Sequence, residues 1–365
     1  MLTNKKDNEF LYLIKLIASL FVITIHAPFP GFFGDGFGSI SRFAVPFFFA
    51  VSGRFLFSGS DVLRKGDVPG IRSHMAKKLL KLLKVTAIVY FIHTLFSLTV
   101  NMLQGMSIGE WFSMKYNAYE AFIFFLFNSG RFIYDGSYVF DHMWYLFAMI
   151  YVYVLIMIFA PLMKRFKTVV MALLLGLLFF GQWLRIYYPI RPFDISIHTP
   201  FMLRNWLLFG MPFVLLGVVM GQYLDDHGHK SLGKEPANNA GGFGKPGIIM
   251  VAAGMVMSVI EDRIFGSQEI FIGSVVIVIG ILLLSEIRPS CGKFLWKLGK
   301  MGASNIYFYH VLLIAVLDLL SQNGIIPGYT MWQKPLIVMA LSLIIFAIIP
   351  FVIKKGYLDE QTAVS

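Results

Sequence analysis

The chain has 365 residues, 57% hydrophobic and 14% charged, with a mean hydropathy of +0.72, and its apolar stretches recur from end to end, which excludes a soluble globule around one core. The net charge of +11 would suggest a nucleic-acid partner in a soluble protein, but here Lys and Arg fall mainly in short connections between apolar stretches and report topology instead. A single cysteine, Cys291, excludes an internal disulfide and a clustered thiolate metal site.

An α-helix needs about 20 apolar residues to cross the hydrocarbon, and every backbone group there must be satisfied internally. The recurring stretches therefore predict an all-α, polytopic membrane helical bundle, not a barrel. Ten membrane helices are predicted, at 10–27, 40–58, 82–103, 142–163, 168–186, 205–224, 246–262, 267–285, 303–323 and 334–353. Between the third and fourth, Tyr119 to Asn128 is apolar but too short to cross, and reads as a re-entrant or interfacial helix in the longest outer connection.

The first stretch is too long, and lacks the small-residue cleavage pattern, for a signal peptide, so it stays in the membrane. It carries Lys15 and His26, whose separation turns a helix by about 1100° and raises it roughly 16 Å. The two side chains thus share one face at different depths, and the cost of placing charge there favours a functional reading. Pro28, Pro30 and Gly31 stop the helix after His26. A histidine at a water-accessible helix end can titrate near neutrality and suits activation of a hydroxyl; snorkelling to the interface is the bland alternative.

The second helix holds Arg42 and Arg54 near its two ends, with Ser52-Gly53 just before Arg54. Either arginine also suits an interfacial anchor. Basic residues then crowd the predicted inner side: Lys5 and Lys6; Arg64 to Lys84; Lys164, Arg165 and Lys167; Lys230, Lys234 and Lys245; Arg288 to Lys300; Lys354 and Lys355. Both termini are expected in the cytoplasm. Lys77, Lys81 and Lys84 fall on one helical face, beside Lys78, and form a stripe able to grip phosphates or lipid headgroups.

Asp141-His142-Met143-Trp144-Tyr145-Leu146 opens the fourth helix at the outer face, where Trp144 and Tyr145 also fit an aromatic belt. The Gly-rich segment at 225–247 reads as a flexible cytoplasmic linker within a single integral-membrane domain spanning 1–365. Ser304-Asn305-Ile306-Tyr307-Phe308-Tyr309-His310 begins the ninth helix from the inside and buries a histidine roughly 10 Å below the surface. Nucleotide-binding glycine loops, zinc helices and nucleophile elbows are lacking, and no metal is expected.

Four of these pieces together resemble the membrane-bound acyltransferase family 3, whose members acylate hydroxyls of surface sugars, peptidoglycan and other envelope acceptors. Lys15 to His26 fits that family's basic residue, ten residues and histidine, with Lys for the commoner Arg. Pro46-Phe47-Phe48-Phe49-Ala50-Val51-Ser52-Gly53 is similar to its Phe-Phe-x-x-Ser-Gly, His142-Met143-Trp144-Tyr145-Leu146 to its His-Leu-Trp-Phe-Leu, and Tyr307-Phe308-Tyr309-His310 to its Tyr-Leu-x-His. Lys78-Leu79-Leu80-Lys81 stands where Arg-x-x-Arg is usual, which keeps the charge and loses the bidentate fork.

The resemblance implies an O-acyltransferase of the bacterial cytoplasmic membrane, with acyl-CoA, most simply acetyl-CoA, as donor and an envelope carbohydrate or similar hydroxyl as acceptor. It implies His26 as general base, with Lys15 and Arg42 as catalytic partners. Lys77, Lys78, Lys81, Arg54, Ser52, Asn305 and His310 are then expected on the donor side, and His142, Trp144 and Tyr145 on the acceptor side. Another class stays open: a transporter or flippase of a small polar substrate such as serine, the chain also resembling the membrane domain of vancomycin-resistance serine racemases. A stop at Ser365 fits a stand-alone acyltransferase or a piece cut before a cytoplasmic domain.

Overall fold

The computed structural model describes residues 8–58, 60–137, 139–187, 203–228, 241–292 and 294–354. Every regular element among them is helical: α1 Glu9–His26, α2 Gly31–Ser41, α3 Ala44–Arg54, α4 Val62–Lys65, α5 Val68–Leu103, α6 Ile108–Lys115, α7 Ala118–Phe127, α8 Trp144–Ile158 and α9 Ala160–Tyr187. They are followed by α10 Met211–Gly228, α11 Gly241–Phe265, α12 Ile272–Ile287, α13 Leu295–Gln322 and α14 Gln333–Leu343. Eight segments among the described residues are long and apolar enough to cross a membrane: Glu9–His26, Val68–Leu103, Asp141–Ile158, Ala160–Tyr187, Trp206–His227, Gly242–Phe265, Leu295–Gln322 and Gln333–Lys354.

Two of the ten predicted spans fall short of that length. The expected helix at 40–58 is broken at Arg42–Phe43, leaving α3 with 11 residues, about 16 Å. Pro46 explains the break, because it has no N–H to donate to the Arg42 carbonyl and its ring crowds that position. The other, α12, has 16 residues. In the opposite direction, α5 runs 36 residues, about 54 Å, so the basic run from Arg72 to Lys84 lies inside the helix and not in the connection before it. Asp67 starts α5 by accepting from the Gly70 amide at 3.1 Å.

The chain divides into two compact units, Met1–Val45 with Leu224–Ser365, and Pro46–Tyr223. In the first, α1 and α13 run side by side. Asn8 caps α1 by accepting from Leu11 N at 3.1 Å and donates to the Ser285 carbonyl at 2.8 Å, while Glu9 accepts from Cys291 N at 3.1 Å. Farther along, Ser19 donates to the Ala303 carbonyl at 2.8 Å, so a buried hydroxyl ties α1 to α13. Leu16, Ile23, Leu298, Ile306, Ile314 and Val338 form the apolar core between α1, α13 and α14.

α11 and α12 make a close hairpin in the same unit. A methyl group at Gly254 would lie 2.6 Å from the Gly273 carbonyl, so glycine is what allows this approach. Glu261 at the end of α11 accepts from Ile272 N at 2.7 Å and Gly273 N at 2.8 Å, capping α12. α2, which was expected to be part of a loop, is a helix whose Phe37 stacks on Phe21 of α1 at 4.7 Å.

In the second unit α3 lies against the first half of α10. A Cβ at Gly53 would meet the Val214 carbonyl at 2.0 Å, and one at Gly217 the Ala50 carbonyl at 1.9 Å, so small residues set this helix pair. α5 buries one stripe, Ile71, Met75, Thr86, Val89, His93 and Ser97. α8 and α9 are separated by Phe159, with Pro161 in the first turn of α9 where a missing N–H costs nothing. Lys164, Arg165 and Lys167 consequently sit within α9, and Lys164 donates to the Lys65 carbonyl at 3.4 Å.

The helices on either side of the predicted linker run farther than expected, α10 to Gly228 and α11 from Gly241. The rest of that linker, and Lys5, Lys6, Lys230, Lys234, Lys293 and Lys355 among the basic residues, lie outside the described residues.

Candidate active site

His26 is the last residue of α1 and is half-buried. Its ring centre lies 5.2 Å from that of His310, with the planes at 57°. His310 is fully buried on α13, and its Nδ1 lies 3.0 Å from the Ile306 carbonyl and 2.8 Å from the Tyr307 carbonyl. Carbonyls only accept, so Nδ1 carries the hydrogen and Nε2 is the basic nitrogen of the neutral ring. Two residues that sequence spacing placed in different helices are thus one imidazole pair, at the end of a membrane span.

Arg42 follows the last residue of α2, and that helix end is joined to the last turn of α1 by Thr24 and Ser41, whose hydroxyls are 2.9 Å apart. Arg42 thus lies beside the end of α1 that carries His26. Its guanidinium lies 3.7 Å from the Glu269 carboxylate, which is 9% exposed. Glu269 was not singled out in the sequence. It stands at the start of a predicted apolar span, and a carboxylate there is itself a signal.

Lys15 and Asn305 are not gathered beside the imidazoles. The Lys15 ammonium lies 5.6 Å from the Tyr12 ring, toward the start of α1, with Lys300 on the same ring at 5.6 Å. Tyr12 in turn stacks on Trp296 at 6.3 Å. Lys15 thus lies in the first half of α1, with His26 at the last residue of the helix. Asn305 precedes His310 by five residues, which puts it about 140° around α13, on another face.

In the second unit the Phe-rich and His-Met-Trp-Tyr motifs meet. Phe49 packs on Trp144 at 5.8 Å and on Tyr145 at 4.5 Å, and Phe209 closes on Trp144 at 5.3 Å. Ser52 donates to the Phe48 carbonyl at 2.8 Å and its Oγ lies 3.5 Å from the Tyr145 hydroxyl. Trp144 is 5% exposed and so belongs to the interior of its unit rather than to an aromatic belt. Arg54, 9% exposed, is also buried, its stem against the position a Cβ of Gly221 would take, at 3.2 Å. The interfacial-anchor reading of Arg54 gives way to a charge held inside.

Lys77, Lys78 and Lys81 are all exposed on α5. His142, buried in a short turn before α8, has its ring 5.2 Å from that of His93. Sequence reading passed over His93, although a histidine inside the predicted span 82–103 met the same cost criterion that picked out His26. It also missed an ion pair in the connection before α8: Lys115 Nζ lies 2.8 Å from Asp135 Oδ2, with side chains 0% and 2% exposed. Burial lowers the Lys115 pKa, and the Asp135 carboxylate partly offsets that. Among the described residues no group of three His, Cys, Asp or Glu side chains could hold a metal ion.

The sequence matches a family described as an acyltransferase domain over residues 8–354, nearly the whole chain. No curated protein and no solved structure matches it.

Proposed function

Since this chain belongs to acyltransferase family 3, we propose that it moves an acyl group, most simply acetyl, from cytoplasmic acyl-CoA to a hydroxyl of an envelope carbohydrate or similar acceptor. It does so in the bacterial cytoplasmic membrane, with both termini inside and ten crossings. The observation that carries this reading is the His26–His310 pair, 5.2 Å between ring centres at the end of the first span. A half-buried imidazole beside a buried one whose Nδ1 is committed to its own helix suits a general base held next to a fixed partner.

His26 takes the proton of the acceptor hydroxyl as its oxygen attacks the thioester carbonyl. Arg42, its charge shared with Glu269, faces the oxyanion that develops. The tetrahedral intermediate then collapses, the carbon–sulfur bond breaks, and the proton held on His26 neutralises the departing CoA thiolate. Lys15 supplies positive charge in the inner half of α1. His142 contacts the acceptor, with Trp144 and Tyr145 supporting that side from the interior of the second unit.

Lys77, Lys78 and Lys81 hold the donor's phosphates from the cytoplasm, with Arg54, Ser52 and Asn305 on the acyl-pantetheine path. Support comes from the exposure of all three lysines on the same helix, continuous with an end that also carries Lys65 and Lys164. An inner N-terminus is supported in the first unit by the joining of the start of α1 to the end of α12 and the basic connection before α13.

Acetyl-CoA binding to the purified protein tests the donor assignment. Lys78→Ala is expected to weaken binding about three- to tenfold, and His26→Ala to leave it unchanged. A protein that fails to bind acetyl-CoA and instead moves serine across vesicles would be a transporter and would end this reading.

A further inference from the structure

α5 leaves apolar residues such as Phe91 and Leu95 exposed, yet the stripe it buries carries Thr86, His93 and Ser97. Polar groups turned inward from a membrane helix mark a site more often than packing. His93 is 0% exposed, and its Nδ1 lies 2.8 Å from the Val89 carbonyl one turn earlier. By the same reasoning as for His310, Nδ1 bears the hydrogen and Nε2 is the basic nitrogen of the neutral ring. The ring of His142, 2% exposed, stands 5.2 Å away with the planes at 51°.

Among the described residues, each unit therefore contains an imidazole pair of the same make. A histidine within a long helix is fixed through Nδ1 to its own helix's carbonyl, and its ring faces a second histidine at a helix end. Aromatic and charged groups pack around the second pair. Phe140 packs 6.0 Å from His93, the Lys115 ammonium sits 3.5 Å over the Phe140 ring, and Ser97 donates to Asp135 at 3.2 Å.

We infer that His93 is a positioning residue for His142: packed against that ring, it fixes its orientation, so that the two imidazoles form one buried polar site for an oxygen of the hydroxyl acceptor. The inference rests on the reading that His142 contacts the acceptor. The working edge of His93 is the one bearing Nε2; the Nδ1 edge is committed to the backbone.

Two amides separate these edges. His93→Asn places an amide near Nδ1 and keeps the bond to Val89, whereas His93→Gln reaches the place of Nε2. The full chain, labelled with ¹⁵N-histidine in bilayers, is to be compared by solid-state NMR, alongside transfer of label from acetyl-CoA to the acceptors of native membrane vesicles. His93→Asn is expected to move the ring nitrogen signals of His142 and to lower kcat about tenfold with the KM for acetyl-CoA unchanged. His93→Gln is expected to restore the His142 signals and to recover transfer to within about threefold of the parent.

The inference is overturned if His93→Asn leaves the His142 signals in place, or if Asn supports transfer better than Gln, since the bond to Val89 would then be what matters. Absence of transfer in the unsubstituted protein would count against the acyltransferase reading alone, and the His142 signals would still decide the positioning role.

Discussion

Lys115 and Asp135 form an ion pair from which water is excluded, with the ammonium also donating to the Arg131 carbonyl at 3.0 Å and lying over the Phe140 ring. Removing one partner strands the other, so Lys115→Met or Asp135→Asn should cost about 3–5 kcal/mol, read as a lowered melting temperature in detergent. The pair of apolar replacements together should cost far less than the two single changes added. Equal, additive losses would show that the two charges are not coupled. His26, Arg42 and His142 stand out in the sequence because charge in an apolar stretch is conspicuous. Lys115 and Asp135 were not, because they lie in a connection where charge is ordinary and only folding reveals that water is excluded. The pairing of His26 with His310 was likewise invisible, since nothing in either helix states which helix it faces.

At the scale of elements, spacing of apolar residues located nearly every long helix, and misjudged those where a local rule opposed the pattern. α2 has four glycines in 11 residues and reads as a loop; it is a helix because Phe37, Phe33 and Phe29 pack against Phe21 and Trp332, contacts remote in sequence. Pro46 broke a span that hydropathy had joined. Ser52-Gly53 was read as a chemical motif, and the structure gives its glycine a packing reason. Gly53→Ala would drive a methyl group to 2.0 Å from the Val214 carbonyl, which must part α3 from α10. A loss of about 1–3 kcal/mol or more is expected in thermal unfolding. Gly36→Ala in α2, where a Cβ meets nothing within 4 Å, should instead be neutral or gain about 0.5–1 kcal/mol. Equal effects of the two would refute the close approach of α3 and α10.

For the whole molecule, composition sufficed to identify a helical membrane protein, and the distribution of Lys and Arg to propose its orientation. The number of crossings was less legible, because α3 and α12 are shorter than a typical span. Orientation can be tested with single cysteines in a Cys291→Ser background and a membrane-impermeant maleimide. Cysteine at Lys65 or Lys78 should react only after the membrane is opened, and cysteine at Asp35 or Gly136 in intact cells. The opposite pattern would reverse the assignment of donor and acceptor sides. The most direct test of the account is label transfer from acetyl-CoA to membrane hydroxyl acceptors by the unsubstituted protein and by His26→Ala. The account predicts that a folded His26→Ala binds acetyl-CoA normally and transfers about a hundredfold less; a folded variant that transfers at the parent rate would contradict it.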